Sequence, residues 1–331
     1  MIAYYVHHHG SGHLHRARAI AAALRYPVIG LSSAPRPVDW PGRWVQLADD
    51  ADGVADDVTA HGTLHWVPRH HRGLRERMAA VSGVLGSGDV RVLVSDVSVE
   101  IALLARLHGV PTVVMAQPGD RTDRPHRLAY DLATRLLAPW PRRPQPDWPS
   151  EWLAKTIHLG GLSRFDGRRP SPGVTGRVLA LWGSGGLDVV PAGLDAAAAA
   201  TPDWAWTVAG AQPVDERPNL RWAGWVDDPW EALCGAEVVV THGGQNAVAE
   251  VAAARRAAVV IPQERPFGEQ RATGAALLRD HVAVVVPCWP AGDRWPDLLQ
   301  RARDRGGAGW ARWSAGDGAV RAAAELDALA A

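Results

Sequence analysis

"VVVTHGGQNAVAEVAAARRAAVVIPQERPFGEQRATGAALL" occupies residues 238–278. It opens on a short β-branched run, residues 238–241, which reads as a buried strand. The strand meets His242, Gly243 and Gly244, and a helix begins near Gln245. The two glycines let the backbone come close to a ligand. Asn246 falls in the first helical turn, and Glu250 lies four residues further, on the same face. A second apolar run, 257–261, ends in a proline-bounded loop that reaches Glu269 and Gln270 at the next helix start. In parallel α/β folds, polar groups beyond the carboxyl ends of strands are where ligands bind.

The same alternation extends in both directions. In the first half the runs are "IAYYVHH" (2–8), "VIGL" (28–31), "WVQL" (44–47), "VRVLVSD" (90–96) and "TVVMA" (112–116). In the second they are "RVLALWG" (177–183), "WAWTVAG" (204–210), "NLRWAG" (219–224), "AEVVVTHGG" (236–244), "AAVVIP" (257–262) and "VAVVVP" (282–287). Helical patterns separate most of them, the mark of βα units around parallel sheets. Between the halves, "APWPRRPQPDWPSEW" (138–152) holds five prolines that block helix and central strand. A short strand at 157–159 and a second proline-rich stretch, "DGRRPSPGVTG", follow it. The expected organisation is an α/β chain of two Rossmann-like domains, 1–150 and 177–331, joined by a linker at 151–176. The last segment, 319–329, is an alanine-rich helix.

At 331 residues the chain exceeds what one core comfortably supports, which agrees with two domains. Its 35 basic and 35 acidic residues cancel, which argues against nucleic acid as a partner and leaves any anion to local structure. Two cysteines, Cys234 and Cys288, are too few for a disulfide framework, and the start carries no signal-peptide pattern. A cytoplasmic location is the default, with no transmembrane run and peripheral membrane contact left open for the basic segment 121–143. The 16 tryptophans read chiefly as core, with base or sugar stacking reserved for one or two.

Each half opens on a strand that runs into a glycine loop: "HHHGSGH" at 7–13 and "LWGSGG" at 181–186. Such loops present unpaired N–H groups at a helix start and accept phosphates. Neither fits the Walker pattern or a full G-x-G-x-x-G, which disfavours a P-loop NTPase or a standard NAD enzyme.

"THGGQNAVAE" (241–250) followed by "IPQERPFGEQ" (261–270) resembles the donor-binding segment of GT-B glycosyltransferases. The likeness is greatest to the bacterial families that include lipid-linked N-acetylglucosaminyl transfer in cell-wall synthesis. "GSGHLHRA" (10–17) is similar to that fold's early Gly-x-Gly-His loop. The resemblance implies two Rossmann-like domains with parallel sheets facing across a cleft. It also implies a nucleotide diphosphate-sugar donor, usually a uridine one, held as a substrate without a metal and with no other cofactor.

Carried over, His242, Gly243, Gly244, Gln245 and Asn246 would meet the phosphates, as would the loop of Gly183, Ser184, Gly185 and Gly186. Glu250 would bond the ribose, Glu269 and Gln270 the sugar hydroxyls, and Trp225 and Val226 would lie at the base. Glu269 stands where an aspartate is common, which leaves the donor sugar open.

The histidines at 7–9 invite a metal reading, but alternation along a strand sends His8 opposite to His7 and His9, and no second ligand cluster supports it. His13 follows the turn of Gly10, Ser11 and Gly12 at a helix start, where the dipole favours a neutral ring able to accept a proton. In the resembling family a histidine here often deprotonates the acceptor, and Asp96 matches an aspartate that orients it. His13 with Asp96 is therefore the expected catalytic dyad. Gln117 and Asp120, in "AQPGDRTDRPHR" (116–127), are acceptor-site candidates. Asp50-Ala51-Asp52 looks like the Asp-x-Asp of metal-dependent transferases, but its polar context reads as surface.

The expectation is an inverting, metal-independent transfer of sugar to a small-molecule, lipid or glycan acceptor. A nucleotide-sugar hydrolase or epimerase on the same fold, or an inactive nucleotide-sugar binding module, are the alternatives.

Overall fold

The computed structural model describes residues 1–8, 10–51, 53, 56–183, 191–210 and 217–331, with Ser11 described by its backbone alone. Ser184, Gly185 and Gly186 lie outside the described residues. The chain divides into two compact units, Met1–Leu159 with Asp317–Ala331, and Gly160–Gly316.

The first unit holds strands β1 (Ile2–Val6), β2 (Val28–Ser32), β3 (Arg43–Gln46), β4 (Val92–Asp96), β5 (Thr112–Met115), β6 (Arg135–Ala138) and β7 (Thr156–His158). They form a parallel sheet in the order β3-β2-β1-β4-β5-β6-β7. The second unit holds β8 (Arg177–Leu181), β9 (Ala205–Ala209), β10 (Leu220–Gly224), β11 (Val238–Thr241), β12 (Ala257–Val260) and β13 (Val284–Val285). These are also parallel, in the order β10-β9-β8-β11-β12-β13. The apolar runs of β1, β2, β4, β11 and β12 are buried along their whole length, as a sheet covered on both faces requires.

In both sheets the strand order reverses beside the first strand, between β1 and β4 and between β8 and β11. A crevice at the carboxyl ends opens at such a switch point. The first carries the Gly10 turn and Asp96; the second carries Gly183 and His242.

The division differs from the boundaries read off the sequence. Residues 151–159 join the first unit because β7 pairs with β6, with Leu136, Leu137 and Ala138 opposite Thr156, Ile157 and His158. The last helix, Gly318–Ala330, also joins the first unit. Asp327 accepts the backbone N–H groups of Arg25 and Tyr26, Arg135 pairs with Glu325 at 2.8 Å, and Arg91 reaches the carbonyl of Ala331. The proline-rich stretch is packed rather than loose: Trp140, Trp148 and Trp152 are buried together with Tyr130.

The other tryptophans chiefly fill cores, as in the buried edge-on pair Trp206 and Trp295. Among the described residues, no helix is long and apolar enough to cross a membrane.

Candidate functional site

In the first unit, β1 ends at Val6 and the helix Ser11–Ala23 begins after Gly10, whose φ of 79° suits a glycine. His13 thus lies in the first turn of that helix. Its Nδ1 stands 3.0 Å from Oδ1 of Asp96, the last residue of β4. Arg16, one turn along the same helix, donates through Nε and Nη2 to the two carboxylate oxygens at 3.2 and 2.6 Å. Asp96 is fully buried. Burial alone would raise its carboxyl, but the charges of Arg16 and His13 and their hydrogen bonds outweigh it and hold it at about 2.

This carboxylate fixes the histidine tautomer. A lone pair on Nδ1 would face the lone pairs of Asp96, so Nδ1 carries the proton and donates it to Oδ1. Nε2 is left as the acceptor. Arg16 Nη2, 3.1 Å from His13 Nδ1, stands beside that N–H, and both converge on Asp96. The sequence reading missed Arg16, although its spacing of three from His13 placed it on the same helix face.

His7 and His8 behave differently from the strand argument made for them. Because β1 stops at Val6, strand alternation no longer governs them, and their rings lie 5.1 Å apart, with His7 also edge-on to His13 at 5.5 Å. Asp50, expected at the surface, is buried and paired with Arg77 at 2.8 Å.

Of the acceptor candidates, Gln117 is buried two residues beyond β5, and its Nε2 has no hydrogen-bond partner. Asp120 is exposed and uses its carboxylate on the N–H and hydroxyl of Thr122, a local loop-forming arrangement.

Among the described residues, two groups could share a cation: His8, Asp49 and Asp50, and His65, Asp123 and His126. In the second group both Asp123 oxygens are bonded to imidazole nitrogens, and the Arg121 guanidinium lies 3.1 Å from His126 Nε2. Burial and Arg121 push His126 down to about 4. The neutral ring then donates from Nδ1 to Asp123 and accepts from Arg121. That closed hydrogen-bond chain satisfies the group without an ion.

In the second unit, β11 delivers His242 to the switch point beside Gly183, where an added Cβ would stand 4.0 Å from His242 Nε2. Gly244 N–H donates to His242 Nδ1 at 3.0 Å. Nδ1 is therefore the acceptor, and in the neutral ring the proton sits on Nε2, which becomes a donor. Gly243 N–H donates to Gln270 Oε1 at 2.9 Å, and the same oxygen accepts from Gln263 N–H at 2.9 Å. Both positions are sterically tight: a Cβ on Gly243 would meet the backbone carbonyl oxygen of Gln270 at 2.8 Å, and one on Gly244 would meet His242 Cε1 at 2.4 Å.

The helix Gln245–Ala254 then starts at Gly244 with no side-chain cap, so its first turn presents the positive end of the dipole. An anion is stabilised at such a start.

Glu250, on that helix, is buried and accepts from Arg164 Nε at 2.8 Å; burial raises its carboxyl despite the arginine. Arg164 also reaches the carbonyl of Asp227. Trp225 is 58% exposed, with Nε1 bonded to Asp227 Oδ1 at 2.8 Å. Val226 packs against the core. Glu269 opens the helix Glu269–Arg279, preceded by Phe267, which is exposed and has a φ of 61°. Gln270 is 5% exposed, and its side-chain Oε1 braces the Gly243 turn. Arg164 and Phe267 carried no sequence signal.

Residues 213–287 match the Glycosyltransferase family 28 C-terminal domain. No curated protein sequence matches the chain. Among solved structures, the calicheamicin glycosyltransferase CalG4 is similar at 16% identity with a TM-score of 0.69, covering 99% of this chain and 98% of its own. Acinetobacter baumannii MurG is 17% identical with a TM-score of 0.61, covering 99% and 98%. The glycosyltransferase VinC in complex with dTDP is 16% identical with a TM-score of 0.65, covering 99% of both chains. The chain therefore has the fold of the GT-B glycosyltransferases, and a segment of its second unit is similar to the family 28 C-terminal domain.

Proposed function

We propose that the protein transfers a sugar from a pyrimidine nucleoside diphosphate-sugar, with UDP-sugars the first choice and TDP-sugars the second, to an acceptor hydroxyl. The observation that carries this reading is the end of β11. There, His242 Nε2–H and the uncapped helix start offer donors to a diphosphate, within the segment that matches the family 28 domain. Exposed Trp225 offers a face for the base, Glu250 an oxygen for the ribose, and Glu269 one for the sugar. The dTDP in the VinC structure supports a thymidine donor as the second choice.

The first unit supplies the base. Asp96 keeps His13 in the tautomer whose Nε2 accepts a proton. The acceptor oxygen forms a bond to the anomeric carbon while that carbon's bond to the diphosphate oxygen breaks. The electron pair leaves with the nucleoside diphosphate, and the hydroxyl proton goes to His13 Nε2. Attack from the face opposite the leaving group inverts the anomeric centre. Charge that builds on the diphosphate meets oriented N–H dipoles, so the chemistry asks no cation of the protein.

The test is nucleoside diphosphate release from UDP- and TDP-sugars with and without hydroxyl acceptors, in EDTA. Acceptor-dependent release supports the transferase. Release at the same rate without acceptor identifies a hydrolase.

A further inference from the structure

The first unit contains a cavity of about 450 Å³ beyond the carboxyl ends of β1 and β4, a volume usual for small-molecule sites. His7 lines it, and the His7 ring is 5.5 Å from that of His13. Val97, the residue after Asp96, lines it as well, with a φ of 84°. A β-branched residue holds that conformation only where its surroundings impose it. The cavity therefore ends at the residues flanking the His13–Asp96 pair.

The charged groups in its wall are already engaged. Arg77, 1% exposed, is the one lysine or arginine among the described lining residues. It donates to Tyr5 hydroxyl at 2.6 Å, Ala48 carbonyl at 2.9 Å and Asp50 Oδ1 at 2.8 Å, and also to the Ser33 hydroxyl. Glu100 accepts the backbone N–H groups of His65 and Trp66 at 2.8 and 3.1 Å, and the Ser98 hydroxyl at 3.0 Å. Two carboxylates thus face one guanidinium, whose Nη1 and Nη2 are engaged and whose Nε is buried without a partner. An anionic ligand would meet two carboxylates against one guanidinium, and would have to displace existing partners to reach Nη1 or Nη2.

The rest of the wall is aromatic and apolar, with Trp66, His65, Leu74 and Met78. Trp66 Nε1 donates to the Asp50 carbonyl at 2.8 Å. His65 is held from behind by Asp123 at 2.9 Å, itself braced by His126. Rings fixed in advance lose little freedom when a ligand packs on them.

We infer that this cavity seats the acceptor, and that the acceptor is an uncharged, ring-bearing alcohol or phenol rather than a phosphate-bearing lipid. The word acceptor rests on the transferase reading above; the ligand chemistry rests on the wall alone.

The test is calorimetric binding of 17β-estradiol and naringenin, each beside its monophosphate ester, to the full chain, with UDP binding measured separately. At least one uncharged probe should bind, tenfold or more tighter than its phosphate. Leu74→Trp, which fills the cavity, should abolish that binding while UDP binding persists, and Trp66→Ala should weaken it at least fivefold. Should Leu74→Trp fail to fold, Trp66→Ala carries the test. Binding of neither uncharged probe, preference for the phosphates, or binding unaffected by Trp66→Ala would overturn the inference. Probe binding without any sugar transfer would leave it standing and remove the transferase reading. Transfer to a phosphate-bearing lipid would do the reverse.

Discussion

His13 Nδ1 and Asp96 Oδ1 are 3.0 Å apart, and the carboxylate is fully buried while the imidazole is 23% exposed. The pair is thus anchored at one end and open at the other. If Nε2 takes the acceptor proton, His13→Ala lowers kcat by about 10²- to 10⁴-fold, the usual size of general base catalysis. The Kd for the nucleoside diphosphate stays unchanged, because the residues proposed to bind the donor lie in the second unit. Initial rates and calorimetry check both parts.

The same carboxylate makes stability depend on pH. Folding lowers Asp96 from 3.8 to about 2, so folding favours its ionised form. Its contribution, on the order of 2 kcal/mol, is complete above about pH 4 and disappears as the pH falls toward 2. Urea unfolding across that interval should show a loss of stability that is shallower in Asp96→Asn. Arg16→Met strips the buried carboxylate of its cation and should destabilise the fold by about 3–5 kcal/mol at neutral pH.

Glu250 has the opposite sign. Burial lifts its carboxyl above the ordinary range, so its ionised form is less favoured in the folded chain than in the unfolded one. Glu250→Gln keeps an oxygen for Arg164 Nε and removes the buried charge. Stability should change by less than about 1 kcal/mol, while the Kd for UDP rises about tenfold through loss of a charged acceptor for the ribose hydroxyls. Thermal unfolding alongside calorimetry separates the two effects.

The Gly243 turn depends on one side chain. Gln270→Ala leaves the N–H groups of Gly243 and Gln263 without their acceptor, at a cost of about 1–3 kcal/mol each if both stay dry. Gly244→Ala drives a Cβ into the His242 ring and should abolish nucleotide binding in a chain that still folds. Circular dichroism and UDP titration distinguish a collapsed turn from a collapsed domain.

Legibility followed the range of the interactions. Buried β-branched runs such as residues 238–241 announce strands by themselves, and the glycine loop after each first strand announces a switch point. β6, only four residues long and followed by prolines, has too little pattern to be seen, and its pairing with β7 moved the boundary to Leu159. The contact between His13 and Asp96 was legible because His13 sits at a helix start and Asp96 at a strand end. Arg16 was one helical turn away and overlooked. Gln270's bond to a backbone N–H 27 residues earlier, Asp50's burial against Arg77, and Arg164's hold on Glu250 are long-range contacts that no local spacing encodes.

The most direct measurement is the anomeric configuration of the product, read by proton NMR, when an α-linked UDP- or TDP-sugar reacts with a hydroxyl acceptor in EDTA. A β-linked product is expected, formed only in the presence of acceptor and lost in His13→Ala. An α-linked product, or full activity in His13→Ala, would contradict it.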